Sequence, residues 1–545
     1  MWGGYLPALF FCDAVETLFD SLEFPKQLGA QMFVCAPFLL SLQLMKHFVR
    51  TVFVLCLLLA SLPSCNKLGG GPSHGDGSEN PTYHYLNRFS RALMEVNYLW
   101  NEEISSTLTH WDLKADPYAQ VHDARYHDAA GNEVDRWTQM IPDYEAFVNG
   151  LNGVSSGTYA VNMQLMYADE TRSQIVAVVL YTYADGPARK AGLKRGDVIV
   201  KVNGATMTVE NYSKVLSEAL NGAPVALTLY DGRNITLPAA VEMYENPVGL
   251  SRVFDCGGRK AGYLFYSSFT LESYADLIEA CRSFRQAGVT DLILDLRYNT
   301  GGYVLTEEML ASMIAPEASV RAGELLATEV YNSFVERYLE RNGLDTRTFF
   351  RQEFEFTGSR GEKYSFSTAD ANIGCQRVFA LVGEDTASAS EALLCSLKPY
   401  MPVYLIGTKT HGKYCAGIVN ASSEYFEEAR KSGEFSAREA EEAMKHASKA
   451  GLYLMVSRYA DKDGVTLSMP DGMTPDERLE ENPLDGFQLG DPGETLLSRA
   501  LAFCGYQASP RAKVQRAGAP RLRLEPVPDT RPKEGYMIKL GLPQE

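Results

Sequence analysis

Between Val52 and Leu62 the chain is apolar at nearly every position, directly behind Lys46, His47 and Arg50. An apolar run of about a dozen residues is shorter than the ~20 that span a bilayer. A basic start followed by such a run predicts a secretory leader beginning at Met45. The stretch NKLGGGPSHGDGSENP at 66–81 has no apolar period and predicts a flexible tether over 66–82. From about 83 the spacing of Leu86, Phe89, Leu93, Val96, Leu99 and Trp100 suits one face of a helix, and 83–156 is read as a small helical N-terminal domain. Around residue 174 the period becomes that of strands, in QIVAVVLYTY and DVIVKVNG, separated by the turn signals DGPA and KRGD. From about 250 to 505, short apolar runs ending in glycine-rich or polar loops alternate with helical stretches, which predicts a layered α/β domain with its functional loops at strand ends.

The 545 residues exceed what one core organises, so several domains are expected. A net charge of −17 argues against a sequence-independent grip on phosphates, and no nucleic-acid partner is expected. The leader ends in LPSC, which resembles a bacterial lipobox; the resemblance implies that Cys65 is lipidated and becomes the mature N-terminus, with 45–65 as signal peptide. Residues 1–44 then precede a leader with its own start, and are read as an artefact of the assigned start. The expected location is the cell envelope, with a lipid anchor as the membrane contact. The cysteines form no C-x-x-C pair, which leaves zinc and thioredoxin-like chemistry unsupported and disulfide connectivity open. His122 and His127 have no evident third ligand, so no metal and no organic cofactor is expected.

The stretch DGPARKAGLKRGDVIVKVNG, followed by VENYSKVLSEAL and VALTLYD, resembles a PDZ domain of the bacterial type, placed at 157–243. Such a domain adds a peptide as a strand and cradles its terminal carboxylate in backbone N–H groups. The resemblance implies a peptide-binding loop at Gly157, Thr158, Tyr159, Ala160 and Val161.

In EDTASASE at 384–391, Ser388 lies between the apolar strand VFALVG and the helical SEALLCSL. From the residues alone two readings stand: an N-cap serine, the commoner use of serine there, or an exposed nucleophile at a strand-to-helix turn. A serine hydroxyl needs a base. Lys413, 25 residues on in THGK, can serve if burial keeps it neutral. Glycines surround it and no carboxylate lies within several positions in sequence. Four stretches in order, GPARKAGLKRGDVI, GYLFYSSF, DLRYNTGG and TASASE with GK 25 residues later, resemble the carboxyl-terminal processing, or tail-specific, serine peptidases. That resemblance implies a crotonase-like α/β peptidase core with an inserted PDZ domain, Ser388 as nucleophile and Lys413 as general base. It further implies an oxyanion hole from Ala389 and one of Gly301 and Gly302. Arg297 and Asn299 are read as fixing the NTGG loop.

Two positions depart from the family pattern. Where several members keep a glutamine four residues after the lysine there is Gly417, and where others keep an aspartate 11 residues after the serine there is Pro399. The third catalytic residue is therefore unassigned. His411 is read as a ring packing beside the dyad, and Glu391 as a structural charge in the first helical turn. The charged stretch 422–451 is read as an inserted, solvated lid or partner surface, and 506–545 as a poorly ordered tail. These readings converge on an exported serine endopeptidase whose substrates are proteins or peptides with free C-termini. The alternative is a catalytically silent PDZ scaffold that only binds peptides.

Overall fold

The computed structural model describes residues 80–358, 361–466, 468, 470–507, 524–527 and 536–540. The leader, most of the tether and Cys65 lie outside the described residues. Among the described residues no helix is long and apolar enough to cross a membrane.

Helix α1 (Pro81–Asn97) starts where Asn80 accepts the Thr82 N–H at 3.1 Å and Pro81 takes the first turn, a position that needs no donor. It buries Leu86, Phe89 and Leu93. The chain then forms an antiparallel sheet of Val161–Tyr167, Ile175–Thr182, Val198–Val202, Val225–Leu229 and Asn234–Leu237, in that order. The Asn203–Gly204 pair, both at positive φ, makes the tight turn after Val202. Helix Tyr212–Ala219 packs on this sheet, giving the module its own apolar core.

The strands that position the site are, in chain order, β1 (Val248–Asp255), β2 (Lys260–Tyr266), β3 (Asp291–Asp295), β4 (Gly301–Tyr303), β5 (Leu325–Tyr331), β6 (Arg377–Val382), β7 (Val403–Gly407), β8 (Cys415–Ala421), β9 (Gly451–Asp461) and β10 (Tyr536–Ile538). The accompanying helices are α2 (Tyr274–Ala287), α3 (Val304–Ile314), α4 (Ala389–Leu397), α5 (Ser422–Ser432), α6 (Ala437–Ala447) and α7 (Thr495–Cys504). One sheet has the order β1-β2-β3-β6-β7, parallel from β2 onward. Strands β2, β3 and β6 are buried on both faces, as parallel strands under helices must be, whereas the antiparallel edge strand β1 is largely exposed. Leu292 and Leu294 of β3 join the core holding α2, α3 and α4, whereas Ile293 between them joins the core holding α7. The second sheet has the order β4-β10-β8-β9-β5.

The stretch 422–451 is not a solvated lid. Helices α5 and α6 carry their charges outward and turn Phe426, Ala429, Ala440 and Ala443 inward, all buried. Their partner is α1 of the same chain: Phe89 meets Tyr425 and Phe426, and Arg88 pairs with Glu434 and Glu439 while its guanidinium covers Phe435. The region beyond 506 differs from expectation too, because Glu525–Pro526 and Tyr536–Ile538 are strands paired with the body. Hydrogen bonds to sheets already formed supply the order that low local hydrophobicity does not.

Candidate active site

Three loops meet where parallel strands β3, β6 and β7 end: 296–300, 383–388 and 408–414. Helices connecting parallel strands return the chain to one edge, which gathers strand-end loops there. The first loop leads to the paired glycines, the second to Ser388 and the third to Lys413.

Ser388 has φ 61° and ψ −114°, a conformation that side chains other than glycine rarely adopt. It sits at the start of α4, is fully buried, and its Oγ makes no hydrogen bond to the described residues. What holds the strained turn is Glu391, itself fully buried. Its Oε2 accepts the N–H of Ser388 at 3.0 Å and the N–H of Lys413 at 2.8 Å. Its Oε1 accepts the Gly412 N–H at 2.9 Å and the Thr410 hydroxyl at 2.5 Å. One carboxylate thus clamps the serine turn and the lysine loop together, a larger part than a charge in the first helical turn. Burial pushes its carboxyl up to about 7, against the pull of these four donors.

Lys413 is fully buried, and its amine is held down to about 7 by desolvation. The Nζ donates to the Tyr453 hydroxyl at 2.8 Å and lies 4.7 Å from the centre of that ring and 5.2 Å from that of Trp137. Tyr453, on β9, also explains the departure at Gly417. A Cβ added to Gly417 would lie 2.5 Å from the Tyr453 ring and 2.4 Å from Met455 Cε, so no longer side chain fits there. The tyrosine approaches the lysine from the neighbouring strand, through the space that a side chain at 417 would need. Pro399 lies beyond the end of α4. His411 packs edge-on against Trp137 with ring centres 6.2 Å apart.

Gly301 and Gly302 have φ of 103° and 143°, and a Cβ on either would strike backbone: the Tyr536 carbonyl at 2.1 Å or the Phe269 carbonyl at 2.3 Å. The Gly301 N–H is already given to Asn299 Oδ1 at 2.9 Å. Tyr303 N–H and Gly301 C=O both pair with Phe269, so alternation along the strand turns the Gly302 N–H to the other side, toward β10 and the Ser388 turn. Of the two glycines, Gly302 keeps its N–H on the β10 side, where the parallel register pairs it with the Tyr536 carbonyl. Ala389 opens α4, where first-turn N–H groups have no intrahelical acceptor. Asn299 also donates to the Tyr266 carbonyl at 3.0 Å and accepts the Ala387 N–H at 3.1 Å; Arg297 is locked between Asp295 and Glu494. Both brace the loop.

Ser388, Ala389, Lys413, Gly301 and Gly302 are brought together; Gly157–Val161 lie apart, in the PDZ module. There Gly157 and Thr158 end a strand paired with Val241–Tyr244, and Tyr159 and Ala160 are buried. The Ala160 N–H is taken by the Thr158 hydroxyl at 2.8 Å, and Val161 pairs with Thr182. Tyr453, Trp137 and the clamp role of Glu391 were absent from the sequence reading. The nearest signal for the last is the i, i+3 spacing of Ser388 and Glu391, a capping-box pattern.

A model of Peptidase family S41 matches residues 260–479, and a PDZ-domain model matches 178–231. The chain is 27% identical over 244 residues to the carboxy-terminal processing protease CtpB of Bacillus subtilis, covering 43% of this chain and 44% of that one. It is 24% identical over 357 residues to a carboxyl-terminal-processing protease of Synechocystis, covering 63% and 67%. The matches thus span about half to two thirds of these relatives' lengths. The fold is similar to the crystal structure of a protein assigned to the S41 proteases from Bacteroides fragilis, with TM-score 0.58, 23% identity, and 80% of this chain and 98% of that one covered. The fold is an α/β core that matches the S41 peptidase model over 260–479 and carries a PDZ module. Through its S41-matching core and its PDZ module the chain is similar to carboxyl-terminal-processing serine peptidases.

Proposed function

We propose that the protein is an exported serine endopeptidase working with a Ser388–Lys413 dyad on protein substrates that its PDZ module captures by their C-terminal tails. The observation that carries the chemistry is the shared Glu391 Oε2, which ties the Ser388 turn to a fully buried Lys413. The neutral Lys413 amine takes the Ser388 Oγ proton as Oγ bonds to the scissile carbonyl carbon. The resulting oxyanion accepts from the Gly302 and Ala389 N–H groups, the former once the Tyr536 carbonyl beside it is displaced. The Lys413 ammonium then protonates the departing amine, and water repeats the cycle on the acyl-enzyme. Tyr453 and Trp137 position the amine and keep water from it. The relatives' names support tail recognition, and the LPSC sequence supports lipidation of Cys65 and a place in the cell envelope.

The test compares cleavage of an unfolded protein by wild type, Ser388→Ala and Lys413→Ala, with a second substrate whose C-terminus is amidated. Activity only in the wild type, reduced on the amidated substrate, is expected. Equal background cleavage by all three proteins rejects the peptidase reading in favour of a peptide-binding scaffold. Mass spectrometry of the protein from membranes is expected to find a diacylated Cys65 as first residue; an unmodified Cys65 rejects the anchor.

A further inference from the structure

The sheet that carries the paired glycines and the lysine strand is continuous only because β10 lies between β4 and β8. Gly301, Gly302 and Tyr303 face Tyr536, Met537 and Ile538 in parallel register, and Gly417 faces Ile538 on the other side. Taken alone, β4 and β8 frame a slot one strand wide, roughly 10 Å between their backbones. Residues 536–539 fill it as an extended ligand would. Tyr536 N–H donates to the Thr300 carbonyl at 2.8 Å, and Lys539 N–H to the Gly417 carbonyl at 2.9 Å. The Tyr453 hydroxyl that holds Lys413 also accepts the Met537 N–H and donates to the Met537 carbonyl, both at 3.2 Å. The Tyr536 carbonyl lies beside the nucleophile turn: the point where Gly301 would carry a Cβ is 2.1 Å from that oxygen and 2.9 Å from Ser388 Cβ.

One side chain is read specifically. The Lys539 ammonium pairs with Glu329 and donates to the Tyr331 hydroxyl at 2.8 Å, with side-chain exposures of 12% for the lysine and 4% for the glutamate. Glu329 accepts from Ser457 Oγ at 3.2 Å and from Tyr331 at 2.7 Å, and Lys539 is its cation among the described residues. A buried carboxylate without its cation is strongly unfavourable, so the slot discriminates against neutral or acidic side chains at this position. A second stretch behaves alike at the PDZ module. Glu525 and Pro526 pair antiparallel with Tyr167 and Met166 on the strand edge, and Val527 packs into the module's apolar core with Leu165, Val215 and Leu216.

We infer that the slot between β4 and β8 is a peptide-strand site selecting a lysine or arginine three residues after the carbonyl beside Ser388, and that residues 536–540 occupy it as a competitor in cis. The inference rests on the proposed peptidase reading for its consequence, since a filled slot excludes substrate; the binding itself does not depend on catalysis.

The test measures fluorescence anisotropy of labelled Gly-Tyr-Met-Ile-Lys-Leu against the full chain carrying Ser388→Ala, alone or combined with Met537→Pro or Lys539→Ala. Proline removes a strand N–H, and alanine removes the cation that pairs with Glu329. Each added substitution is expected to tighten peptide binding, by about tenfold for Met537→Pro. The same peptide with glutamate for lysine is expected to bind at least about tenfold more weakly to the Met537→Pro protein. Binding no tighter in both variants than in the parent, or equal binding of the two peptides, overturns the inference. Cleavage assays on the matching Ser388 proteins separate the two readings: cleavage without tail-dependent binding overturns this inference alone, and tail-dependent binding without cleavage overturns the peptidase reading alone.

Discussion

Lys413 shows what chemistry demands of a single residue. Its amine, ordinarily at 10.5, is held to about 7 by burial under Trp137 and Tyr453. The proposed Ser388–Lys413 dyad is competent only when this amine is neutral, so kcat/KM is expected to rise with pH through about 7 and then level. Glu391 titrates in the same range and is hydrogen-bonded to the lysine backbone, so the acid limb measured in a pH–rate profile belongs to the pair. For stability the sign is opposite to that of a paired lysine. Below pH 7 the amine is charged in both folded and unfolded chains and its burial is penalised in full. Between 7 and 10.5 the unfolded chain carries the extra proton, and the penalty shrinks as pH rises. Lys413→Met is therefore expected to be inactive yet more stable than wild type, by on the order of 2–4 kcal/mol at pH 6, with the gap closing toward pH 10 in urea titrations. The serine and lysine were legible in the sequence because each sits in a short motif at a set spacing. Tyr453 was not, because it reaches Lys413 across a strand pair from 40 positions away, and no local pattern records such a meeting.

At the scale of elements, periodicity found α1 and the strands of the parallel sheet, whose continuous apolar runs report burial on two faces. It misjudged 422–451. The charge of α5 and α6 is real, but it occupies the outer face only; Tyr425, Phe426 and Ala429 form an inner stripe whose partner, α1, lies more than 300 residues earlier. A sequence shows that a face is apolar without showing what it meets. Phe426→Ala is expected to cost about 3–5 kcal/mol, because its ring is fully buried against Phe89, Tyr425 and Phe435. Differential scanning calorimetry on the full chain reads this as a lowered Tm, and hydrogen exchange in α1 is expected to quicken together with that in α5.

Across the whole molecule, the PDZ module is joined to the core by a buried ion network. Arg195 donates to the Leu180 carbonyl within the module, to Tyr298 of the NTGG loop at 2.8 Å and to Glu481 at 2.6 Å; Glu481 in turn accepts from Arg297. The brace of the glycine loop and the anchor of the peptide-binding module are thus one set of charges. The tail beyond 506 bridges the same two regions, and composition could not reveal this: its strands are ordered by edges that other parts of the chain provide.

The two ends of that tail differ in how water reaches them. At the PDZ edge, Arg172 and Glu525 form an exposed bidentate pair, with side chains 59% and 60% accessible. At the slot, Lys539 and Glu329 are nearly dry. Raising ionic strength from about 0.1 M to about 1 M shortens the screening length from about 10 Å to about 3 Å, which weakens surface pairs and leaves buried ones largely intact. Hydrogen exchange across such a salt series is expected to show 524–527 loosening while 536–539 stays protected. Detachment would then have a direction, beginning at the module and ending at the Ser388 turn, so salt alone would yield a half-released tail that still covers Ser388.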